Sequence, residues 1–309
     1  MSEDRVLVTG GAGFIGHHLV AALLTRGHEV TVLDDLSMGR ADWLAPEVRM
    51  IVGDVRDPEA VARSLDGVRH VFHLASIVSV RASVDGFVRD ADVNLLGTLN
   101  LLESLRGRDI DRAVLASSMA VYADGGGRSL REDHPVIPAS PYGVAKLAAE
   151  RYWHLIGPEL GVSPTVLRYF NTYGPGQTPT PYVGVITHFL DRILRGEAPR
   201  VYGDGEQRRD FVHVDDIVTA SVSVLEHDVA GDTINVGTGV GTTVNEVAAL
   251  VLRELGSTLT PEHTAPAIGE LRDAVADIGA AKTRLGYRPS RPSLDLSGVV
   301  APLLRSRTR

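Results

Sequence analysis

Residues 6–16 read VLVTGGAGFIG, an apolar run followed by a glycine-rich turn and the start of a second apolar segment. This order predicts a strand, a tight turn and a helix that begins near Gly13. Gly10 would permit the turn, Gly13 would let a pyrophosphate approach the backbone, and Gly16 would let the helix pack closely. Because a helix N-terminus attracts phosphates, the stretch predicts a dinucleotide-binding site.

An acidic residue follows this turn at the spacing that a dinucleotide site needs. Asp34 ends the next strand-like run about twenty residues on, where a carboxylate can bind a ribose hydroxyl. The same charge would repel the additional phosphate of NADP, so NAD is the predicted cofactor. Two alternatives stay open: Asp34 could cap a helix in a tight connection, and Arg40 could pair with a phosphate.

Strand-like apolar runs alternate with helical stretches through the first half of the chain. Short buried strands separated by amphipathic helices are typical of a parallel sheet with helices on both faces. The predicted fold is therefore α/β, a doubly wound parallel sheet of the Rossmann type. The predicted strands are 6–8, 30–33, 50–52, 71–74, 113–116 and 165–167.

After Asn171 the pattern of long alternating elements ends at a predicted loop rich in glycine and proline, residues 173–182. Shorter elements follow, including helices predicted at 184–195 and 243–255. Ligands of open α/β sheets bind beyond the carboxyl ends of the strands, so a second, smaller α/β substrate domain could cover that crevice. The predicted domains are an NAD-binding domain at 1–171, rejoined by about 214–238, and a nucleotide-sugar-binding domain at 172–213 and 239–309.

The composition excludes several classes of protein and site. The 309 residues carry a net charge of -8 without a dense Lys/Arg stripe, so nucleic acid is not an expected partner. The absence of cysteine excludes disulfides and thiolate nucleophiles, and no histidine pattern predicts a metal site. The polar N-terminus does not resemble a signal peptide and no apolar run could span a membrane, which predicts a soluble cytoplasmic protein.

Tyr142 and Lys146 are four residues apart in the segment SPYGVAK, residues 140–146. On a helix they would share a face, and Pro141 suits a helix start. A free phenol titrates near pH 10, and a cation nearby favours the phenolate, so this tyrosine could accept a proton. The spacing also arises by chance, when an aromatic ring packs on a lysine stem.

Together with the glycine turn, these residues make the chain resemble the extended short-chain dehydrogenase/reductase family, and within it the nucleotide-sugar 4-epimerases. The resemblance runs from Arg5 to about Tyr287. Several motifs in one order are more specific than any single motif. They are HLAS at 73–76, NLLGT at 94–98, SSMAVY at 117–122, RYFN at 168–171 and GDGEQRRDF at 203–211.

The resemblance implies a role for each candidate site residue. Ser118 would hydrogen-bond the sugar oxygen, Tyr142 would be the base, and Lys146 would bind the nicotinamide ribose while favouring the phenolate. Asn171 and Arg209 would hold the diphosphate of the substrate, and Asp54 would contact the adenine side of the cofactor. The implied cofactor contacts are Gly10, Gly13, Phe14, Ile15, Gly16, Asp34, Asp54, Val55, Leu74, Ala75, Asn94, Tyr142 and Lys146. The implied substrate contacts are Ser118, Asn171, Arg209, Arg272 and Ala274.

The chain departs from the family pattern near its C-terminus. Relatives often carry an arginine two positions before a Gly-acid pair, whereas here Ala267 precedes Gly269 and Glu270. Arg272 is the candidate replacement for that charge. Ala274 stands where many relatives carry a bulky residue near the sugar 2-position, so a 2-acetamido sugar is expected to fit.

The resemblance implies NAD-dependent 4-epimerisation of a UDP-hexose, either UDP-glucose and UDP-galactose or their N-acetyl forms, through a 4-keto intermediate. A UDP-glucuronate 4-epimerase, a nucleotide-sugar 4,6-dehydratase and a non-catalytic NAD-binding scaffold are the alternatives. Dehydratases place acidic side chains just after the active-site hydroxyl, where this chain has Met119 and Ala120, which also offer no side-chain donor to a uronate. Helices predicted at 83–105 and 142–155 resemble those of a family dimer's four-helix bundle, so a homodimer is expected.

Overall fold

The computed structural model describes residues 4–177, 184–266 and 271–300 of the chain. Ala267, Gly269 and Glu270 lie outside the described residues. The strands are β1 (Arg5–Thr9), β2 (Glu29–Asp34), β3 (Arg49–Val52), β4 (Val68–His73), β5 (Arg112–Ser118), β6 (Ser163–Tyr169), β7 (Asn171–Tyr173), β8 (Arg200–Tyr202), β9 (Arg208–His213), β10 (Thr233–Val236), β11 (Gly241–Thr243), β12 (Glu262–Thr264) and β13 (Asp273–Ala274). The α-helices are α1 (Phe14–Thr25), α2 (Pro58–Ser64), α3 (Val80–Asp85), α4 (Phe87–Ala91), α5 (Gly97–Ser104), α6 (Pro141–Ile156), α7 (Val185–Leu194), α8 (Val214–Ser223), α9 (Val244–Glu254) and α10 (Gly279–Arg284).

Seven of the described strands form one parallel sheet, in the order β10-β6-β5-β4-β1-β2-β3. Successive residues of a strand point to opposite faces. On β1, Val6 and Val8 join a core with α1 and α8, whereas Leu7 joins a core with α2, α5 and α6. Both faces of the sheet are therefore covered by helices, and the predicted doubly wound fold is confirmed.

The strand order reverses between β1 and β4. From β1 the chain moves outward through β2 and β3, then crosses back to β4 and continues through β5 and β6 to the other edge. Connections that leave in opposite directions open a crevice at the carboxyl ends of the two central strands. Here that crevice lies beside Gly10 and the segment that follows His73.

The six predicted strands all overlap observed strands, and the helices predicted at 184–195 and 243–255 correspond to α7 and α9. The helix predicted at 83–105 is wrong as a single helix. It breaks at Gly86, whose φ of -134° and ψ of 47° are not helical. A π-helical turn, Asp92–Leu96, then separates α4 from α5.

A smaller layer of structure lies beyond the central sheet. Strands β11, β9 and β13 pair side by side, and β7 pairs with β9. Helices α7 and α9 pack on one another and share a core that includes Phe189 and Val247. Leu130 joins this layer to the main sheet, since its N–H donates to Val275 O and its carbonyl accepts from Asp277 N. In the described residues no helix is long and apolar enough to cross a membrane.

Candidate active site

The protein's own packing requires glycine at positions 10 and 16, whereas Gly13 is less constrained. Gly10 has a φ of +70°, and a Cβ there would lie 2.7 Å from Ala75 N. A Cβ on Gly16 would lie 2.1 Å from Gly10 O. At Gly13 a Cβ would meet only Gly10 O, at 3.2 Å. The open side of Gly13 therefore leaves room for a group outside the protein.

Helix α1 begins directly after Gly13, with Phe14 and Ile15 as its first residues. Among the described residues no side chain caps this end of the helix. Backbone N–H groups at an uncapped helix start can bind an anion, and the helix dipole favours negative charge there. The turn thus has the space and the donors that a pyrophosphate needs.

Asp34 lies at the carboxyl end of β2 and holds the glycine turn from the side. Its Oδ2 accepts from Ala12 N at 3.0 Å, and its Oδ1 accepts from Leu36 N at 2.9 Å. Burial raises the pKa of this carboxyl. Each oxygen has a further lone pair that a ribose hydroxyl can use. Arg40, the possible phosphate partner, instead donates to Asp42 at 2.6 Å.

The other predicted cofactor residues line the far side of the turn. Leu74 and Ala75 contact Gly10 through their backbone. Asp54 accepts from the guanidinium of Arg56 and lies next to Val55, whose side chain would meet a Cβ on Gly97 at 2.8 Å. These contacts fix the strand ends that surround the crevice.

Asn94 is fully engaged with the protein. Its Oδ1 accepts from Ser76 Oγ and from Ile77 N, each at 2.8 Å. Its Nδ2 donates to Ile77 O and to Asp90 Oδ1, each at 3.0 Å. These four bonds use the whole hydrogen-bonding capacity of a carboxamide. The side chain therefore holds the 76–77 segment in place.

Sequence reasoning missed a hydrogen-bonded chain under the glycine turn. Ala75 N donates to Thr9 Oγ1, and Thr98 Oγ1 donates to Asn94 O. Between the two hydroxyls lies His73, with Nδ1 2.7 Å from Thr9 Oγ1 and Nε2 2.9 Å from Thr98 Oγ1. Because the backbone groups fix both ends, His73 accepts at Nδ1 and donates from Nε2. Burial lowers the pKa of His73 to about 3, so it is neutral.

A local signal positions Tyr142 at the start of α6. Ser140 Oγ accepts from Gly143 N at 3.1 Å and caps the helix, and Pro141 occupies its first turn. A Cβ on Gly143 would lie 2.3 Å from Ala120 O. Glycine at this position lets the helix start press against the turn that follows β5, which brings Tyr142 next to Ser118.

The three predicted catalytic residues meet in this region. Lys146 Nζ lies 5.9 Å from the centre of the Tyr142 ring and donates to Ala116 O on β5 at 3.0 Å. Ser118 ends the same strand, and its Oγ accepts from Ala120 N at 3.2 Å. Burial raises the pKa of Tyr142 to about 12, whereas hydrogen bonding to Ser118 and Ser76 lowers it. Beside Lys146 the pKa of this phenol therefore still lies above its ordinary value of 10, because burial outweighs the hydrogen bonds to Ser118 and Ser76.

The ammonium of Lys146 is buried and has one hydrogen-bond partner within the described part of the chain, the carbonyl of Ala116. Burial lowers its pKa to about 8, against the charges of Asp90 and Glu150. An ammonium has three donors, so two remain for a ligand. This capacity fits the two hydroxyls of a nicotinamide ribose.

A buried ion pair lies one helical turn beyond Lys146. Arg168 Nη2 donates to Glu150 Oε2 at 2.7 Å, and both side chains are almost fully buried. Arg168 also donates to Tyr122 OH at 2.8 Å. Removing one partner of such a pair would leave an uncompensated buried charge. The pair therefore ties α6 to β6 behind the candidate site.

Four of the five predicted substrate residues lie on or next to the smaller sheet, and Ser118 lies at the end of β5. Ala274 on β13 is fully buried and lies beside Arg209 on β9. Asn171 on β7 lies beside Phe211 on β9, and its Nδ2 reaches Asp210 O at 3.4 Å. Arg272 precedes β13 and donates to Asp204 Oδ1 at 2.6 Å. Arg272 and Asp204 also line a cavity of about 330 Å³.

Asp124 is a second residue that sequence reasoning did not single out. It follows the SSMAVY motif, and its Oδ2 accepts from the backbone N–H groups of Arg272 and Asp273. This carboxylate thus joins the segment that follows Ser118 to the strand that carries Ala274. No spacing in the sequence indicates such a contact, because the two segments are far apart along the chain.

Known proteins resemble the chain over nearly its whole length. It is 37% identical over 292 residues to a UDP-glucose 4-epimerase of Mycolicibacterium smegmatis, with 92% of this chain and 93% of that protein covered. The structure of a Thermotoga maritima UDP-glucose 4-epimerase with UDP-glucose superposes with a TM-score of 0.92, at 36% identity, over 99% of this chain and 100% of that one.

A Thermus thermophilus UDP-glucose 4-epimerase in complex with NAD has a TM-score of 0.88 and 38% identity, over 95% of this chain and 96% of that one. Residues 6–237 match the NAD dependent epimerase/dehydratase family. The resemblance noted in the sequence is thereby confirmed, and the chain belongs to the NAD dependent epimerase/dehydratase family.

Proposed function

We propose that the chain catalyses the NAD-dependent 4-epimerisation of a UDP-hexose through a 4-keto intermediate. The observation that carries the proposal is the convergence of Ser118, Tyr142 and Lys146 beside a glycine turn, in a chain similar to UDP-glucose 4-epimerases along nearly all its length. A non-catalytic scaffold would have no use for a buried ammonium beside a buried phenol, since both cost stability.

The cofactor fits two features of this chain, the open side of Gly13 and the two remaining donors of Lys146. Phe14 and Ile15 would offer N–H groups to the pyrophosphate, and Asp34 would accept from the adenosine ribose. Lys146 would donate to the nicotinamide ribose. Bound NAD supplies a hydride acceptor and a positive charge near the reacting carbon.

Tyr142 is the general base of the proposed mechanism. It takes the proton of the sugar 4-hydroxyl as C4 gives up hydride, and Ser118 orients that hydroxyl. The 4-keto sugar then turns over within the site, and C4 receives the hydride on its other face while Tyr142 returns the proton. Because the pKa of Tyr142 is about 12, proton transfer near neutral pH depends on positive charge close to the ring. Such a charge favours the phenolate.

The residues after Ser118 favour epimerisation over the alternatives. Met119 and Ala120 form a short 3₁₀ turn and carry no acidic group for elimination. Neither has a side-chain donor for a uronate carboxylate. Ala274 is a small residue where many relatives carry a bulky one, so the proposed substrates include 2-acetamido sugars as well as UDP-glucose and UDP-galactose. Asn171, Arg209 and Arg272 are the proposed contacts to the nucleotide diphosphate.

The proposed assembly is a homodimer, and the proposed location is the cytoplasm. Exposed apolar side chains on α6 support a dimer, since Val144, Tyr152 and Leu155 are spaced to lie on one side of that helix. Phe87 and Val88 on α4, which packs against α6, are exposed as well. Exposed apolar side chains grouped on two packed helices are typical of a protein–protein interface.

The test is an NMR assay of purified protein with UDP-glucose, UDP-N-acetylglucosamine and UDP-glucuronate, each without added reductant. We expect UDP-glucose and UDP-N-acetylglucosamine, but not UDP-glucuronate, to be converted to the C4 epimer, with a loss of about 10²- to 10⁴-fold in kcat for Tyr142→Phe, which removes the base. Tyr152→Phe, on the exposed face of the same helix, is the matched control and should leave kcat unchanged. A 4-keto-6-deoxy product, or full activity in Tyr142→Phe, would contradict the proposal.

A further inference from the structure

Asp90 is a buried acidic residue close to the candidate site. It lies on α4, is 2% exposed, and its Oδ1 accepts a hydrogen bond from Asn94 Nδ2 at 3.0 Å. Its Oδ2 is buried and has no hydrogen-bond partner in the described part of the chain. A carboxylate oxygen withdrawn from water without a donor is costly unless a nearby charge compensates for it.

The compensating charge lies on the neighbouring helix. Helix α4 packs against α6, and Lys146 on α6 is the cation that favours the ionised form of Asp90. Among the described residues the two form no direct ion pair, so each acts on the other through the protein interior. Charges interact there more strongly than in water, because little solvent screens them.

Asp90 acts on both members of the proposed catalytic pair. Burial lowers the pKa of Lys146 to about 8, and Asp90 is the largest of the charges that oppose this. Burial and, after it, the charge of Asp90 raise the pKa of Tyr142, which lies at about 12. The other groups that face the pair are Glu150 on α6, His73 on β4, Ser118 at the end of β5, and Ser76.

The other acidic residue beside Lys146 has a partner of its own. Glu150 accepts from Arg168 at 2.7 Å and from Ser117, so most of its charge is compensated locally. Within the described ranges, Asp90 has only the amide of Asn94 as a hydrogen-bond partner. The carboxamide of Asn94 also hydrogen-bonds to Ser76 and Ile77, so it links Asp90 to the segment beside Tyr142.

We propose that Asp90 is a positioning residue of the active site, whose half-paired carboxylate keeps Lys146 in its ammonium form and, through Asn94, fixes the Ser76–Ile77 segment beside Tyr142. The effect of Asp90 on catalysis rests on the proposed epimerase function. The interaction between Asp90 and Lys146 is independent of that function, and it can be measured without turnover.

The chain makes that measurement direct, because it contains two lysines, Lys146 and Lys282. Protein labelled with ¹³C at the lysine Cε carbons gives two NMR signals that follow protonation, and Lys282→Arg assigns them. In Asp90→Asn we expect the midpoint of Lys146 to move to lower pH while Lys282 does not move. Asp90→Glu keeps the charge and should restore the midpoint.

Glu103→Gln is the matched control, since it removes an exposed carboxylate from α5, and it should leave Lys146 unmoved. If Asp90→Asn does not fold, Asp90→Ser also removes the charge and carries the same expectation. An unmoved Lys146 midpoint in a folded, neutral Asp90 variant overturns the proposal.

The pH profile of kcat gives an independent readout. Loss of the carboxylate lowers the pKa of both Tyr142 and Lys146, so both limbs of the profile should move to lower pH in Asp90→Asn. A merely structural role would lower kcat at every pH without moving the limbs, and would contradict the proposal. If Lys146 moves but no nucleotide sugar is turned over by the unchanged protein, the epimerase function fails while the role of Asp90 stands.

Discussion

The buried side chain of His73 makes the stability of the folded protein depend on pH. Its folded pKa of about 3 lies below the ordinary value of 6.5, because burial and the charge of Lys146 oppose protonation. Below pH 6.5 the imidazole of His73 is protonated in the unfolded chain but stays neutral in the folded chain. The free energy of unfolding therefore falls as the pH drops toward 3. Between pH 6.5 and pH 4.5 the loss is roughly 2 kcal/mol, because the slope reaches about 1.4 kcal/mol per pH unit only below the unfolded pKa.

The measurement is the free energy of unfolding in urea at pH 6.5 and at pH 4.5. In His73→Gln, which cannot take up the proton, the loss between the two pH values should be smaller by about 2 kcal/mol. The exposed His263, changed to Gln, is the control and should show the loss of the unchanged protein. An equal loss in all three proteins would contradict a neutral His73.

At the scale of single residues, the sequence predicts those residues that belong to recognisable motifs. Gly10, Asp34, Tyr142 and Lys146 each stand at a spacing that has a chemical meaning, and the structure brings Tyr142 and Lys146 onto one side of α6. It does not predict which polar side chains become buried beside them. Asp90 lies in a run of exposed residues, and its burial arises only when α4 packs on α6.

The glycine turn allows a prediction at the scale of an element, because its glycines serve different purposes. In Gly16→Ala the new Cβ would overlap Gly10 O, at 2.1 Å, so the turn and α1 must move apart. Overpacking of this kind costs about 1–3 kcal/mol or more in stability. In Gly13→Ala the backbone, with φ of -78°, accepts alanine, and the Cβ enters the open space instead.

We therefore expect Gly13→Ala to unfold in urea like the unchanged protein but to bind NAD at least about tenfold more weakly, a difference of roughly 1.4 kcal/mol. Gly16→Ala should be less stable even without NAD. Urea unfolding and calorimetric titration with NAD measure the two effects separately. Undiminished NAD affinity in a folded Gly13→Ala would mean that the pyrophosphate does not approach this turn.

Element boundaries show where sequence patterns stop being informative. Strands such as β1 and β5 were predictable because their apolar runs are short and bounded by turns. The segment at 83–105 looks like one amphipathic helix, yet Gly86 adopts a non-helical conformation and a π-helical turn includes Asn94. That turn is where Asn94 bonds to Ile77 and Asp90, so tertiary hydrogen bonds outweigh the local helical preference.

At the scale of the whole molecule, the exposed apolar surface of α4 and α6 predicts self-association. Val88 is 71% exposed and Leu155 is 67% exposed, which is unusual for large apolar side chains on two helices that pack against each other. In a symmetric dimer the same patch meets itself, so one substitution introduces two changes into the interface. Val88→Glu would bring two like charges into an apolar contact, where each would have to give up water.

We expect the unchanged protein to have the mass of two chains by light scattering, and Val88→Glu to have the mass of one at the same concentration. Val240→Glu is the matched control, because Val240 is also exposed, at 45%, but lies in a loop far along the chain from α4 and α6. It should remain a dimer. A single-chain mass for the unchanged protein, or a dimer that survives Val88→Glu and a second charge at Leu155, would mean that this face is not the interface. Helix α6 also carries Tyr142 and Lys146. Loss of the dimer should therefore lower the melting temperature of the protein.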